Sequence, residues 1–429
     1  MASAAATRCR WVAQTVARRW ASSSTATTPP TTHASNHLPP PPVRPQRRVV
    51  VTGLGAVSPF GVGVPRLWRG VLDGASGVAP LADPLFASLP CTVAARVPRG
   101  KGEGEFDAMA HIDRASSRTQ HVDFISFAIA ATAEALADAG FGGSQRAIGE
   151  VYDSARVGVA IGSGIGNVDE VASAAALLAG NVEVGQRRIS PFFVPRILNN
   201  MACGNVSIKW GLRGPNHSVT TACATGAHAI GDAYRFIKYG DADAMVAGGA
   251  EASIAPISFV GFTRAKALAT AFNDPAVAAT ASRPFDASRD GFVLGEGAGV
   301  VVLEELGSAL ARGACIYAEI RGYGACGDAH HITVPREDGD GALRAMRGAL
   351  GEGGFLAPDG TTLLHAVNYI NAHATSTQVG DNIEARGIGA LVAGFPSTTP
   401  PPLVSSSKGS IGHLLGAAGA VESIITVLA

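Results

Sequence analysis

Apolar, β-branched runs that stop at glycine alternate along most of this chain with helical stretches, and that alternation constrains the fold more than any other feature. "RRVVVTGLGAVSPFG" (47–61) reads as a buried strand and a tight turn, and "HVDFISFAIAATAEALADAG" (121–140) as an amphipathic helix stopped by glycine. "ARVGVAIGSGIGN" (155–167), residues 217–222 and "ADAMVAGGAEAS" (242–253) read as further strands. A helical stretch entered through prolines lies at 191–211 and a long helix at 224–239. The rhythm continues with strands within 290–306, 315–327 and 366–377, helices within 341–354 and 381–392, and a strand, loop and helix over 401–429. Such alternation predicts an α/β architecture with largely buried parallel sheets. Two of the strands end in G-x-G, at Gly53–Gly55 and Gly322–Gly324, which hints at a duplicated unit.

Composition supports a large core. Charged residues make up 16% of the 429 and glycine occurs 53 times, against about 25% and about 7% in average proteins. Few charges and many small residues predict tight packing with closely approaching backbones, extended by an oligomer interface. No apolar run is long and unbroken enough to span a membrane. The six cysteines (9, 91, 203, 223, 315, 326) show no CxxC pair and read as free thiols in a reducing compartment.

The formal net charge of zero hides a split. Residues 1–48 hold seven arginines and no acid, which leaves 27 basic against 34 acidic residues, a net of −7, for the remainder. So acidic a body is a poor nucleic-acid binder. "MASAAATRCRWVAQTVARRWASSS" is rich in arginine and serine, and on a helix Trp11, Val12, Val16 and Trp20 fall near one face. It reads as an organelle transit peptide, mitochondrial in style with plastid as the alternative. "TATTPPTTHASNHLPPPPVRPQ" reads as a disordered linker.

The glycine loops do not bind a dinucleotide by spacing: the third glycine position is Ser58 after Gly53 and Gly55, and Asn167 after Gly162 and Gly164. Chemistry points elsewhere. Cys223, in "VTTACATGAHAIGDAYRFIKYG", stands where an apolar strand turns into a helix, and small residues follow it. A helix N-terminus favours thiolate, so Cys223 is a candidate nucleophile, with an inert buried cysteine as the plain alternative. His373 in "NAHATSTQVGD" and His413 in "SSSKGSIGHLLGAAG" sit at loop mouths beside hydroxyls and glycines, as acid–base groups or oxyanion donors do. A zinc site from these three is disfavoured, because no paired ligand spacing accompanies them and His330–His331 would chelate poorly.

"TACATG", "NAHATSTQVGD" and "SSSKGSIGHLLGAAGAVES", in that order, resemble the signature segments of the β-ketoacyl-acyl-carrier-protein synthases, and "RPFDASRDGFVLGEGAG" and "GDAHHIT" fit the same family. The likeness runs from about residue 47 to the end and is closest to the bacterial type II and mitochondrial members. It implies a thiolase-like fold with duplicated βαβαβ halves in a five-layer α-β-α-β-α arrangement, usually in a homodimer. The expected division is a targeting and linker segment over 1–48, a first half over 49–305 and a second over 306–429. By motif position the resemblance makes Cys223 the acyl-accepting nucleophile, and His373 and His413 the donors to the malonyl thioester oxygen. Lys408 would support His413 and the site's electrostatics, and Asp381 and Glu384 would be buried acidic partners of that network. Thr375 and Thr377 would touch the phosphopantetheine arm, and Ile165 would gate the acyl pocket. Arg114, Arg118, Arg264 and Lys266 are the expected docking residues for acyl carrier protein. The substrates bring their own phosphopantetheine, so neither a cofactor nor a metal is expected. The expected reaction is decarboxylative condensation of malonyl-acyl-carrier protein with an enzyme-bound acyl group. A non-catalytic partner of the same fold and a coenzyme A-dependent thiolase are the rivals.

One departure from the family pattern stands out. Family members continue past the last helix into further strands and a glycine-rich turn, whereas this sequence stops at Ala429. The expectation from that departure is an incomplete second half, with impaired solubility and activity.

Overall fold

A computed structural model describes residues 46–112, 122–142, 145–356, 367–396 and 400–429. Of the targeting and linker segment predicted over 1–48, residues 1–45 lie outside the described residues, as do Arg114 and Arg118.

The principal sheet has seven strands. Its core is β1 (Val49–Ser58), β2 (Val157–Gly162), β3 (Asn216–His217), β4 (Ala244–Glu251) and β5 (Gly297–Glu305), in the order β3-β2-β4-β5-β1. A sixth, β6 (Ala318–Ile320), pairs with the free side of β1, as does the short strand Gly61–Val62. The strands are mixed in direction, which corrects the expectation of parallel sheets: β2 runs parallel to β3 and β4, while β5 is antiparallel to both β4 and β1. The apolar runs predicted burial on two faces. Both all-parallel and mixed central strands satisfy that, so strand direction was not encoded in the pattern.

Helices cover both faces. On one side α1 (Asp123–Asp138) and α2 (Met201–Trp210) pack Phe124, Phe127, Val206 and Trp210 against Val159, Ile161, Val300 and Val302. On the other side α3 (Thr225–Lys238) and α7 (Ala418–Leu428) pack Ile230, Tyr234, Val421 and Ile424 against Ala160, Met245, Val301 and Leu303. Val300 and Val302 face one way and Val301 and Leu303 the other, which is the two-residue period of a strand buried on both sides.

Beyond α3 and α7 lies a second, smaller sheet, in which β7 (Tyr369–Asn371) and β8 (Leu403–Ser405) run parallel. Asn371 Nδ2 donates to the Glu422 carbonyl and to Thr426 Oγ1 of α7, which holds β7 on that helix. On its far side Ala372 and Ala374 pack with Ile388 and Met346, on α6 (Gln378–Val392) and α5 (Asp340–Glu352). Helices, sheet, helices, sheet and helices thus stack in five layers. The strands expected at 217–222 and 315–327 are shorter than their apolar runs. Residues 218–221 make no ladder, and only Ala318–Ile320 pairs in the second segment.

The duplication hinted at by the two G-x-G pairs is physical. A Cβ on Gly53 or Gly55 would strike the carbonyls of Ala135 and Ala131 in α1, at 2.2 and 1.9 Å. A Cβ on Gly322 or Gly324 would strike those of Ala349 and Ala345 in α5, at 2.1 and 2.0 Å. Each pair lets a helix lie directly on the backbone, with the contacts four residues apart on the helix. The same equivalence relates α3 to α7. Gly226 faces the Ala420 amide, at 2.7 Å from an added Cβ, and Gly419 faces the Ala227 amide, at 2.8 Å.

Gly226→Ala should therefore destabilise the protein by about 1–3 kcal/mol, the usual cost of overpacking against rigid backbone. Gly389→Ala, inside α6 with nothing within 4 Å of the added Cβ, should stabilise it by about 0.5–1 kcal/mol. Denaturant unfolding of the two variants checks both, and equal shifts would refute the close-approach account.

Candidate active site

The starts of α3 and α7 come together because those helices cross at glycines. Ahead of α3 the chain makes a single 3₁₀ turn, Ala222–Ala224, entered through Ala222 at φ 50°. Ahead of α7 it makes a second such turn, Leu415–Ala417, entered through Leu415 at φ 46°. The first turn carries Cys223; the second follows His413 by two residues. Thr225 Oγ1 accepts the Thr221 N–H and braces the first turn.

His413 Nε2 lies 3.0 Å from Cys223 Sγ. The His373 and His413 rings meet edge to face, with centroids 5.3 Å apart, and Phe292 packs edge-on against His413 at 5.3 Å. The reactive atoms of Cys223, His373 and His413 all lie within 4.8 Å of one another. Such a trio could close on a cation, although that cation would have to tolerate the Lys408 ammonium nearby. The site opens into a cavity of about 580 Å³, lined by Ala227, His228, Met346, Ile370 and Ile388 together with Cys223 and His373.

Lys408 is fully buried. Its Nζ pairs with Glu422 Oε1 and lies 3.4 Å from His373 Nδ1. Lysine can only donate, so His373 Nδ1 accepts and we assign the ring proton to Nε2. This corrects the expectation that Lys408 supports His413: its contact is with His373, and it reaches His413 only through its charge. His413 Nδ1 is buried with no hydrogen-bond partner among the described residues. A bare lone pair is tolerated better than an orphaned N–H, so we assign that proton also to Nε2, facing Sγ.

Both rings stay neutral. The cavity wall strips water from His373, and the Lys408 charge repels a second cation, so its basicity falls to about 3. The ring is nonetheless open on its cavity side. His413, more enclosed, is held well below the ordinary histidine value by burial, Lys408 and His373. Cys223 departs from expectation: burial pushes its thiol up, and neither Lys408 nor its own N–H reverses the shift. The helix-terminal position that predicted a resting thiolate is therefore outweighed by dehydration.

The expected acids are present as scaffolding. Glu384 accepts the backbone N–H groups of His373 and Ala374, each at 2.6 Å, and so fixes the end of β7. Asp381 is fully buried, accepts the Phe285 N–H at 2.9 Å and pairs with Arg289 at 3.3 Å. Thr375 and Thr377 face each other through their hydroxyls at 3.1 Å, and Thr375 lines a smaller pocket with His373 and Glu384. Ile165 is about one-third exposed, on the loop after β2. Arg264 and Lys266 are both exposed at the C-terminal end of α4 (Pro256–Arg264). Phe262 of that helix packs edge-on against Phe292, which in turn touches His413.

Sequence reasoning missed Glu422, Glu251 and Phe292. Glu422 was signalled indirectly, since a lysine in so apolar a stretch needs a counter-ion. Glu251 closes the otherwise uncharged strand "AMVAGGAE", and an acid there demands donors.

Comparison with known proteins agrees with this geometry. The family described as "Beta-ketoacyl synthase, N-terminal domain" matches residues 46–309, and "Beta-ketoacyl synthase, C-terminal domain" matches 317–429. The chain is 49% identical over 397 residues to the mitochondrial 3-oxoacyl-[acyl-carrier-protein] synthase of Arabidopsis thaliana, covering 89% of this chain and 81% of that protein. It is 50% identical over 385 residues to 3-oxoacyl-[acyl-carrier-protein] synthase 2 of Rhizobium meliloti, covering 89% and 86%. A type II polyketide ketosynthase solved with its acyl-carrier protein superposes with a TM-score of 0.73 at 30% identity, covering 89% of this chain and 86% of the other. With the cysteine and both histidines assembled at the paired helix starts, and both family domains matched in order, the chain belongs to the β-ketoacyl synthase family.

Proposed function

We propose that this protein catalyses decarboxylative condensation of malonyl-acyl-carrier protein with an acyl group held on Cys223, extending a fatty acyl chain. The observation that carries the reading is the convergence of Cys223, His373 and His413, whose reactive atoms lie within 4.8 Å of one another beside one cavity. In the first step Sγ attacks the acyl thioester, and the Cys223 N–H faces the oxyanion. The thiol proton passes through solvent to the departing pantetheine sulfur, leaving acyl-Cys223. His413 Nε2–H steadies the sulfur as negative charge grows on it. In the second step malonyl loses CO2, and the bonding pair becomes an enolate whose oxygen takes the Nε2–H groups of His373 and His413. Neutral histidines hold that charge without protonating the carbon. The enolate carbon attacks the acyl carbonyl, the C–S bond breaks, and the sulfur regains a proton from solvent.

In this reading Thr375 and Thr377 contact the pantetheine arm, Ile165 gates the acyl chain, and the chain divides into halves at about residue 305. Acyl carrier protein docks at Arg264 and Lys266, next to the helix that reaches His413 through Phe262 and Phe292. The protein acts as a homodimer in the mitochondrion. The acid-free, arginine-rich start of the chain and the mitochondrial relative from Arabidopsis support the location. Exposed apolar side chains between Val171 and Leu198 support a second subunit.

His373→Ala and His413→Ala should each retain part of the acyl transfer to Cys223 but lower malonyl decarboxylation by about 10²–10³-fold, the scale for one lost oxyanion donor. Near-full condensation by His413→Ala would make its role structural.

The histidines also set the pH response. A ring less basic folded than unfolded binds fewer protons in the native state, so stability falls as pH drops from 6.5 towards about 3. His373→Gln should flatten the acid limb of the stability curve in that window, measured by denaturant unfolding at successive pH values. Parallel curves would show that His373 titrates normally.

Charge reversal at Lys266 should raise KM for the acyl-carrier substrate several-fold and weaken its salt dependence, while sparing a small pantetheine thioester. Equal losses on both substrates would exclude docking there.

A further inference from the structure

Glu251, the last residue of β4, is fully buried and faces no cation in hydrogen-bonding range among the described residues. Its carboxylate is held by donors from separate loops. Oε2 accepts the N–H groups of Gly164 at 2.7 Å, Ile165 at 3.2 Å and Gly416 at 3.1 Å. Oε1 accepts the hydroxyls of Ser163 at 3.1 Å and Ser253 at 2.8 Å. Gly164 to Gly166 form the loop that carries Ile165, and Gly416 belongs to the turn that follows His413. The two loops touch: a Cβ on Gly416 would meet the Gly164 amide at 2.3 Å, and one on Gly164 would meet the Ala222 carbonyl, just before Cys223, at 3.3 Å.

We infer that Glu251 is a positioning residue that fixes the Ile165 loop and the His413 turn to one another, so that acyl-chain access and placement of the catalytic histidine are set by one carboxylate. A carboxylate without a cation survives burial only when N–H and O–H dipoles surround it, as they do here. Burial raises its proton affinity and the surrounding donors oppose that shift. The geometry explains why an acid is needed. Its Oε2 accepts three N–H groups and its Oε1 two hydroxyls, and its charge strengthens each bond, whereas a neutral amide would turn its NH2 toward the two hydroxyls and hold the three N–H groups by one weaker oxygen. Gly416 occupies in the second half the place that Cys223 occupies in the first, each being the central residue of a 3₁₀ turn entered at positive φ. The first turn presents a nucleophile; the second spends its N–H on Glu251.

The inference rests on the assignment of Cys223, His413 and Ile165 made above, and its test does not require condensation. Alkylation of Cys223 in the full chain by iodoacetamide and by N-dodecyl iodoacetamide, followed by peptide mapping, gives a long-to-short rate ratio. Glu251→Gln should raise that ratio about tenfold by loosening the Ile165 loop, and should slow the short reagent by displacing His413 from Sγ. Glu304→Gln is the control. Glu304 is equally buried in the same sheet, bonded to Thr52, Tyr152 and Arg312, and its substitution should cost stability and leave the ratio unchanged. Ser253→Ala acts on the loops only through Glu251 and should raise the ratio about threefold, which serves if Glu251→Gln does not fold. A ratio within about twofold of the unsubstituted protein in Glu251→Gln, or no change in Ser253→Ala, overturns the inference. An unsubstituted protein that alkylates at Cys223 but forms no 3-oxoacyl product would instead count against the proposed reaction.

Discussion

Everything at the site depends on two helices lying closer than side chains normally allow. α3 and α7 cross with Gly226 against the Ala420 amide and Gly419 against the Ala227 amide. That approach places the turn before α3 beside the turn before α7, and so sets Cys223 3.0 Å from His413. Both helices press on the seven-stranded sheet, through Ile230 and Val421, and Asn371 of the smaller sheet bonds to α7 from the other side, which holds the pair in place. Packing of this density transmits small displacements to the reacting atoms, and a shift of one ångström is costly in catalysis.

The electrostatics follow from that enclosure. Enclosure and the Lys408 charge keep both histidines neutral and burial raises the thiol, so the reacting groups rest uncharged beside the Lys408–Glu422 pair and Glu384. A neutral site suits a reaction whose charge appears only transiently, first on an oxyanion and then on an enolate oxygen. The buried ion pair is retained at a desolvation cost, and its contact with His373 Nδ1 gives a reason: it decides which nitrogen carries the proton.

Much of the fold was legible because burial and periodicity are local signals. The runs around Val49–Ser58 and Ala244–Glu251 are apolar except at Thr52, Ser58 and Glu251, and they became strands buried at every position. The helix ending near Gly140 stopped where glycine supplies the positive φ that ends it. Strand direction was not legible, nor was the loss of pairing at 218–221, because both depend on partners remote in sequence. The resting state of Cys223 was misread for a related reason. Helix position is visible in sequence, but dehydration is produced by segments as distant as His413 and Lys408.

By itself the sequence determined the α/β alternation, the glycine pairs that admit close backbone contact, and the chemical identity of Cys223, His373 and His413. These are properties of residue type and near-neighbour spacing. Only the tertiary structure decided which histidine Lys408 touches, which acids are scaffolding, and that Glu251 joins two loops more than 200 residues apart in the chain. Hydrogen bonds and desolvation act over a few ångströms of space, and sequence separation carries no information about that distance until the sheets and helices have packed.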